Sequence, residues 1–187
     1  MSRPIGSSGT VWTYDEYARF PDDGNRYEVL DGEVLVTPKP TPHHQYVSGR
    51  LFVALRECVE KHGLGHVFFE VDLLFVEGQF LAPDLLVVPP SSREGITTRG
   101  IERPPALVVE ILSRSSRKHD RVRKPRRYLE FGVPEYWVVD PFEGVVWVWT
   151  QTTGPDGPRR EADTLCWRMS PDAPGLEIDV AALVAPL

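Results

Sequence analysis

The sequence predicts an α/β domain, a mixed β-sheet flanked by helices. Three observations carry that prediction. Short apolar runs recur between Tyr27 and Trp149, each bounded by Gly, Pro or an Asp-Gly turn. One segment, His43 to His62, instead spaces its apolar residues at helical intervals, and a basic, helix-like segment runs from about Ser116 to Phe131. One run, Ala106 to Leu112, is apolar almost throughout, as a strand covered on both faces would be.

With 187 residues, the chain suits one domain with an arm, and buries about two-thirds of its unfolded surface on folding. Residues 1–12 read as a flexible arm and 13–187 as a single domain. Thr13-Tyr-Asp-Glu-Tyr-Ala-Arg-Phe is a short helix in which Thr13 and Glu16 form a capping box. Arg26 to Thr37 is two strands around the Asp31-Gly32 turn. Pro38, Pro40 and Pro42 mark a linker before the longest helix, which Gly63 closes. Gly65 to Val76 and Phe80 to Val88 are expected as two strands around a turn at Glu77-Gly78, followed by a polar loop from Ser91 to Pro105. After the Ala106 strand and the basic helical segment, Pro134 to Pro141 and Gly144 to Thr150 give two more strands. Gly154 to Pro158 is a turn, Thr164 to Arg168 a strand, and Leu176 to Leu183 a terminal helix.

Composition excludes several classes. Ordinary apolar content (41%) rules out a disordered chain, and no apolar run reaches the roughly 20 residues of a membrane span. The first ten residues carry no secretory apolar stretch. A soluble, cytoplasmic protein is expected. Cys58 and Cys166 stand far apart, so neither a disulfide framework nor a zinc knuckle is expected. The net charge of −6 argues against nonspecific, charge-driven nucleic-acid binding. It leaves room for a nucleic-acid enzyme, because charge in a groove is set locally. One stretch, Arg114 to Arg127, is locally basic.

Two acids sit where apolar residues belong: Asp84 opens Leu85-Leu-Val-Val, and Glu110 interrupts Leu107-Val-Val-Glu-Ile-Leu. A buried carboxylate is costly unless it is paired or holds a cation. Two carboxylates from neighbouring strand ends make a hard oxygen site for magnesium, which keeps several waters and takes few protein ligands. The competing reading gives each acid an arginine partner.

Pro83-Asp84 followed by Glu110 is similar to the signature of the PD-(D/E)XK nuclease superfamily. The surrounding text is more specific. Tyr27-Glu-Val-Leu-Asp-Gly-Glu, His44, Ala82-Pro-Asp-Leu-Leu-Val-Val, Val109-Glu-Ile-Leu-Ser, Asp120-Arg-Val-Arg-Lys, Tyr128, Gly132-Val-Pro-Glu-Tyr-Trp-Val-Val-Asp-Pro and Pro174-Gly-Leu-Glu-Ile-Asp resemble, in that order, the Uma-type family of restriction endonuclease-like proteins. The resemblance covers nearly all of the chain after residue 12. It implies the restriction endonuclease-like fold and a Mg2+-dependent endonuclease acting on DNA, with Mn2+ as a possible substitute. Asp84 and Glu110 would hold the ion.

The superfamily's usual lysine, two residues after the glutamate, is absent, because Leu112 stands there. The resemblance points instead to Lys124, which would position or help deprotonate the water, or offset developing charge. Glu28, His44 and Asp120 are further candidates for the site. Arg117, Lys118 and Arg121 would contact backbone phosphates. Each candidate also has a structural reading: Lys124 with Asp120 as a surface i,i+4 pair, Glu28 as a strand-edge acid, His44 as a helix cap. Pro125 means that the basic helix either begins near Lys124 or kinks there. The Trp137, Trp147 and Trp149 group belongs to the core or an interface, and apolar strands near Trp137 suggest a homodimer. The Leu112 departure and acidic charge keep a second reading open, a nuclease-fold DNA-binding or assembly module without hydrolysis. A third is a phosphohydrolase of small nucleotides, which predicts a closed pocket.

Overall fold

In the computed structural model, which describes residues 11–113 and 116–187, the chain enters through α1 (Tyr14–Tyr17). Most of the expected arm, and Arg114 of the basic stretch, lie outside the described residues. The capping box forms, with Glu16 N donating to Thr13 Oγ1 at 3.3 Å and Thr13 N donating to Glu16 Oε2 at 2.9 Å. Strands β1 (Arg26–Leu30) and β2 (Glu33–Thr37) pair around Asp31 and Gly32, at φ +57° and +77°. A two-residue hairpin turn demands that left-handed pair. Helix α2 (Pro42–Glu60) starts behind an N-cap at Thr41, with Pro42 in its first turn where no N–H is missed.

The segment expected as one long hairpin contributes to two sheets. Strands β3 (His66–Phe69) and β6 (Leu85–Val88) pair with each other in one sheet, and β4 (Leu73–Val76) and β5 (Gln79–Leu81) pair in another. Both arms bend together at 70–72 and 82–84. Pro83 offers no N–H to a ladder, and Glu70, at φ +41°, donates its N–H to Asp84 O at 3.2 Å. The two expected strands are thus corrected to four.

The smaller sheet has the order β2-β1-β5-β4. The larger adds β7 (Leu107–Ile111), β8 (Glu135–Asp140), β9 (Val145–Thr150) and β10 (Arg159–Glu161), in the order β10-β9-β8-β7-β6-β3. Among the described residues only β7 and β8 run parallel within it, and the basic segment is the crossover that a parallel pair needs. The 91–105 loop includes a 3₁₀ turn, Pro90–Gly95.

That crossover winds wide before it tightens. Residues His119–Arg123 form a π turn, in which Lys124 N–H reaches back to His119 O. Helix α3 (Lys124–Glu130) follows with Pro125 in its first turn. The wider turn makes room for the proline ring, so the helix continues through it.

At the C-terminal end, Leu176 to Asp179 is strand β12, paired with β11 (Thr164–Trp167), and only Val180–Val184 is helical (α4). The expected terminal helix is corrected accordingly. Leu-Glu-Ile-Asp alternates with period two, and the helix begins only where Asp179 Oδ1 caps Ala182 N at 2.9 Å.

Strand alternation sorts the core into layers. Leu85, Val87, Leu107, Val109 and Ile111 face α2, α4 and the β11–β12 ribbon. Leu86, Val88, Val108, Tyr136 and Val138 face α3 and the inner side of the smaller sheet. That sheet's outer side packs Val29, Val34 and Phe80 under Tyr14 and Tyr17 of α1. Trp137, expected near an exposed apolar strand, is 0% exposed and meets Trp167 edge to face within the chain. Among the described residues, no helix is long and apolar enough to cross a membrane.

Candidate active site

Period-two alternation places Glu110 on the same face of β7 as Val108, between the larger sheet and α3. Glu28 shares its face of β1 with Leu30 and looks into the same layer. Lys124 reaches in from the first turn of α3. Its Nζ donates to Glu110 Oε1 at 2.8 Å and to both oxygens of Glu28 at 3.0 Å. It also lies 3.1 Å from Asp120 Oδ1, but off the axis of a hydrogen bond. Tyr128, one turn along α3, donates its hydroxyl to Glu110 Oε1 at 3.2 Å.

Asp84 stands at the bend between β5 and β6. Its Oδ1 accepts from Arg26 Nη1 at 2.7 Å, and its Oδ2 accepts from Ile111 N at 2.7 Å. His44, in the first turn of α2, places Nε2 3.2 Å from Asp84 Oδ2 and 3.0 Å from Ile111 O. Ile111, the residue after Glu110, is therefore held at both its N–H and its C=O, which fixes the Glu110 carboxylate relative to Asp84. All six expected acid, histidine and lysine positions meet here.

Glu28, Asp84, Glu110, Asp120 and Lys124 are each 1–2% exposed. Four buried carboxylates face two permanent cations, Arg26 and Lys124, so the cluster carries surplus negative charge. Burial pushes the Glu110 carboxyl well above the usual range, and Asp120, Asp84 and Glu28 add to that against the opposing pull of Lys124. Burial likewise raises Asp120. Burial works against Asp84 as well, but the bond from His44 and the charge of Arg26 outweigh it and hold that acid near about 2. Burial also opposes the charge on Lys124, yet Glu110, Glu28 and Asp120 together raise it well above its ordinary value. Two acids pushed apart by their surroundings are the usual basis for separate chemical roles.

The residues suit a divalent ion of sparse, water-rich coordination. The donors are hard oxygens, and surplus charge among buried carboxylates is what a cation relieves. Among the described residues no group of three or more His, Cys, Asp or Glu side chains forms a metal cage. An ion here would rest on Asp84 and Glu110 and complete its shell with water. Arg26 already occupies Asp84 Oδ1, so guanidinium and ion compete for that oxygen.

A cleft of ≈960 Å3 opens onto Asp84, Arg26, His44 and Ile111. Glu28, Glu110 and Lys124 are not part of its wall and stand behind this floor. Leu112, at the usual lysine position, is buried against Leu30 and Tyr128 in the inner layer. Arg117 binds Asp140 Oδ2 at 2.9 Å and also pairs with Glu143, while Arg121 stacks on Trp147 at 4.2 Å. Neither they nor the exposed Lys118 line the cleft; Arg26 and Lys39 do.

Reasoning from sequence missed Arg26 and Tyr128 as site residues. Arg26 had a signal, since it precedes Glu28 by two and shares its strand face. Tyr128 had one too, four residues beyond Lys124 on the same helix face.

This mixed sheet, its parallel β7–β8 crossover and two acids at adjoining strand positions define a restriction endonuclease-like α/β protein. The chain belongs to the Uma2 family, whose model, described as "Putative restriction endonuclease", matches residues 14–181. A crystal structure of "a putative nuclease belonging to DUF820" from Anabaena variabilis is similar, with a TM-score of 0.77 and 18% identity over 92% of this chain and 97% of that one. No curated protein matches.

Proposed function

We propose that this protein is a metal-dependent endonuclease that hydrolyses DNA phosphodiester bonds. The observation that carries the reading is the pairing of Lys124 with Glu110 behind a cleft floor that carries Asp84, in a chain of a nuclease family. Asp84 and Glu110 would hold Mg2+ or Mn2+. When bound, such an ion neutralises charge on the scissile phosphate and lowers the pKa of its water.

The chain's own residues do the rest. Lys124 stays protonated among three acids, so it orients Glu110 and Glu28 and does not take a proton. His44 and Asp84 clamp the Ile111 peptide and fix the spacing of the two acids. Arg26 lines the cleft, and a guanidinium N–H not spent on Asp84 would donate to a phosphate oxygen.

Labelled DNA incubated with Mg2+ or Mn2+ tests the reading. Asp84→Asn and Glu110→Gln should each lower cleavage about 100-fold or more, with circular dichroism unchanged. Cleavage undiminished by Asp84→Ala refutes it. The guanidinium on Asp84 and the apolar Leu112 favour the second reading, a DNA-binding module without hydrolysis. Calorimetry separates the two: a hydrolase takes up Mn2+ and loses that uptake in Glu110→Gln, whereas the module takes up none.

A further inference from the structure

Of the two permanent cations beside the acids, one is fixed and one is not. Lys124 has 2% of its side chain exposed and donates to Glu110 and to both oxygens of Glu28. Arg26 opens β1, lines the cleft and has 22% of its side chain exposed. It grips Asp84 with a single prong, Nη1 to Oδ1 at 2.7 Å, and its buried Nε has no hydrogen-bond partner among the described residues. An arginine that serves only to hold a carboxylate normally closes a two-pronged fork on it. One bond made and one buried N–H left over is a poor resting state.

The two oxygens of Asp84 are unlike. Oδ2 belongs to the frame of the site: it accepts from Ile111 N at 2.7 Å and lies 3.2 Å from His44 Nε2. Drawing it away would loosen β7 and the start of α2. An ion resting on Asp84 therefore takes Oδ1, the oxygen that Arg26 holds. Burial opposes the charge of Arg26, and the attraction of Asp84, Glu110 and Glu28 outweighs it. The guanidinium thus balances the same acids that would hold the ion. A divalent ion brings twice that charge, and repulsion between like charges at such short range drives the weaker one off.

We propose that Arg26 is a displaceable counter-cation: it holds Asp84 Oδ1 until a divalent ion takes that oxygen, and then turns out into the cleft. The inference rests on the metal-dependent reading and says how that site admits its ion.

Calorimetry of Mn2+ uptake by the wild type and by Arg26→Met, without DNA, tests it. Loss of the competitor should tighten uptake by about 10-fold or more, the worth of one charge-assisted hydrogen bond. A merely structural arginine predicts the opposite sign, because its loss would free Asp84 to move and weaken uptake. Arg26→Gln, which keeps an amide donor, repeats the measurement should Arg26→Met fail to fold. In the wild type, Mg2+ should strip the buried Arg26 Nε–H of its protection from solvent exchange, read by NMR of 15N-arginine-labelled protein, with Arg26→Gln identifying the signal. Uptake unchanged or weakened by the substitutions, or an Nε–H still protected at saturating Mg2+, overturns the proposal. Cleavage assays keep the two readings apart. Tighter uptake in Arg26→Met, with no cleavage of DNA by the wild type, sinks the hydrolase and leaves the exchange standing. Mn2+-dependent cleavage with equal uptake by wild type and variant does the reverse, and no uptake by either protein sinks both.

Discussion

Replacing Lys124 with methionine tests the arrangement on which the site depends. The substitution keeps most of the apolar stem and removes an ammonium that is 2.8 Å from Glu110, 3.0 Å from Glu28 and 3.1 Å from Asp120. Removing one partner of a buried pair costs about 3–5 kcal/mol, because the other is left as an uncompensated charge. Three carboxylates are stranded here, so the upper part of that range applies. For a chain of this length each kcal/mol moves the melting temperature by about 2–4 °C, giving a fall of roughly 8–20 °C near pH 7. The penalty should shrink as pH falls. Burial already holds the Glu110 proton well above its ordinary range. Loss of the ammonium raises it further, and an acid with a raised native pKa stabilises the fold below its unfolded pKa and loses that contribution as pH rises. Urea unfolding followed by fluorescence of the buried Trp137 and Trp149 reads the change at about pH 7.5 and about pH 5. A loss below about 1 kcal/mol at the higher pH, within the range of an exposed pair, would refute the buried charge cluster. A double variant, Lys124→Met with Glu110→Gln, should regain part of the loss, since it removes one of the stranded charges.

Two further outcomes follow from groups away from the cluster's centre. Burial raises the Asp72 carboxyl, against the bond it accepts from Tyr17 Oη at 3.0 Å, so its native pKa lies above its unfolded one and its ionisation weakens the fold as pH rises. Asp72→Asn should therefore raise the melting temperature at about pH 7.5 and raise it less at about pH 4, where more of the acid carries its proton; a larger gain at the lower pH would contradict this. Gly65 sits at φ +133°, where an added Cβ would come within 2.1 Å of Val88 O. Gly65→Ala should cost at least about 2 kcal/mol by chemical unfolding, and a neutral result would show that the β3–β6 edge yields.

Local chemistry made much of the architecture legible. The reciprocal Thr13–Glu16 cap and the Asp31-Gly32 turn are each decided within a few residues, and they stand where their patterns place them, whereas Pro42, read as linker, opens α2. The failures lie where partners are distant. Gly65 to Val76 and Phe80 to Val88 read as two unbroken strands because apolar content continues through 70–72 and 82–84. What divides them is pairing with two different sheets, a tertiary fact. Leu176 to Asp179 could end either way until β11 is there to pair with it. The site divides in the same manner. Carboxylates inside apolar runs are visible in the chain, and so Asp84 and Glu110 stand out as candidates from the sequence alone. Arg26 meets its acid across 58 positions, and Lys124 meets Glu28 across 96. Only the order of strands sets those separations.

The π turn before α3 keeps the Lys124 amine in place. An α-helix advances about 100° per residue, and the wide turn at His119–Arg123 spends one residue that a regular helix would not. Deleting any single residue there would restore ordinary winding and swing Lys124 about a quarter-turn round the axis, out toward solvent. A one-codon deletion would thus part the ammonium from the buried acids it serves, so the length of this segment matters as much as the lysine it delivers.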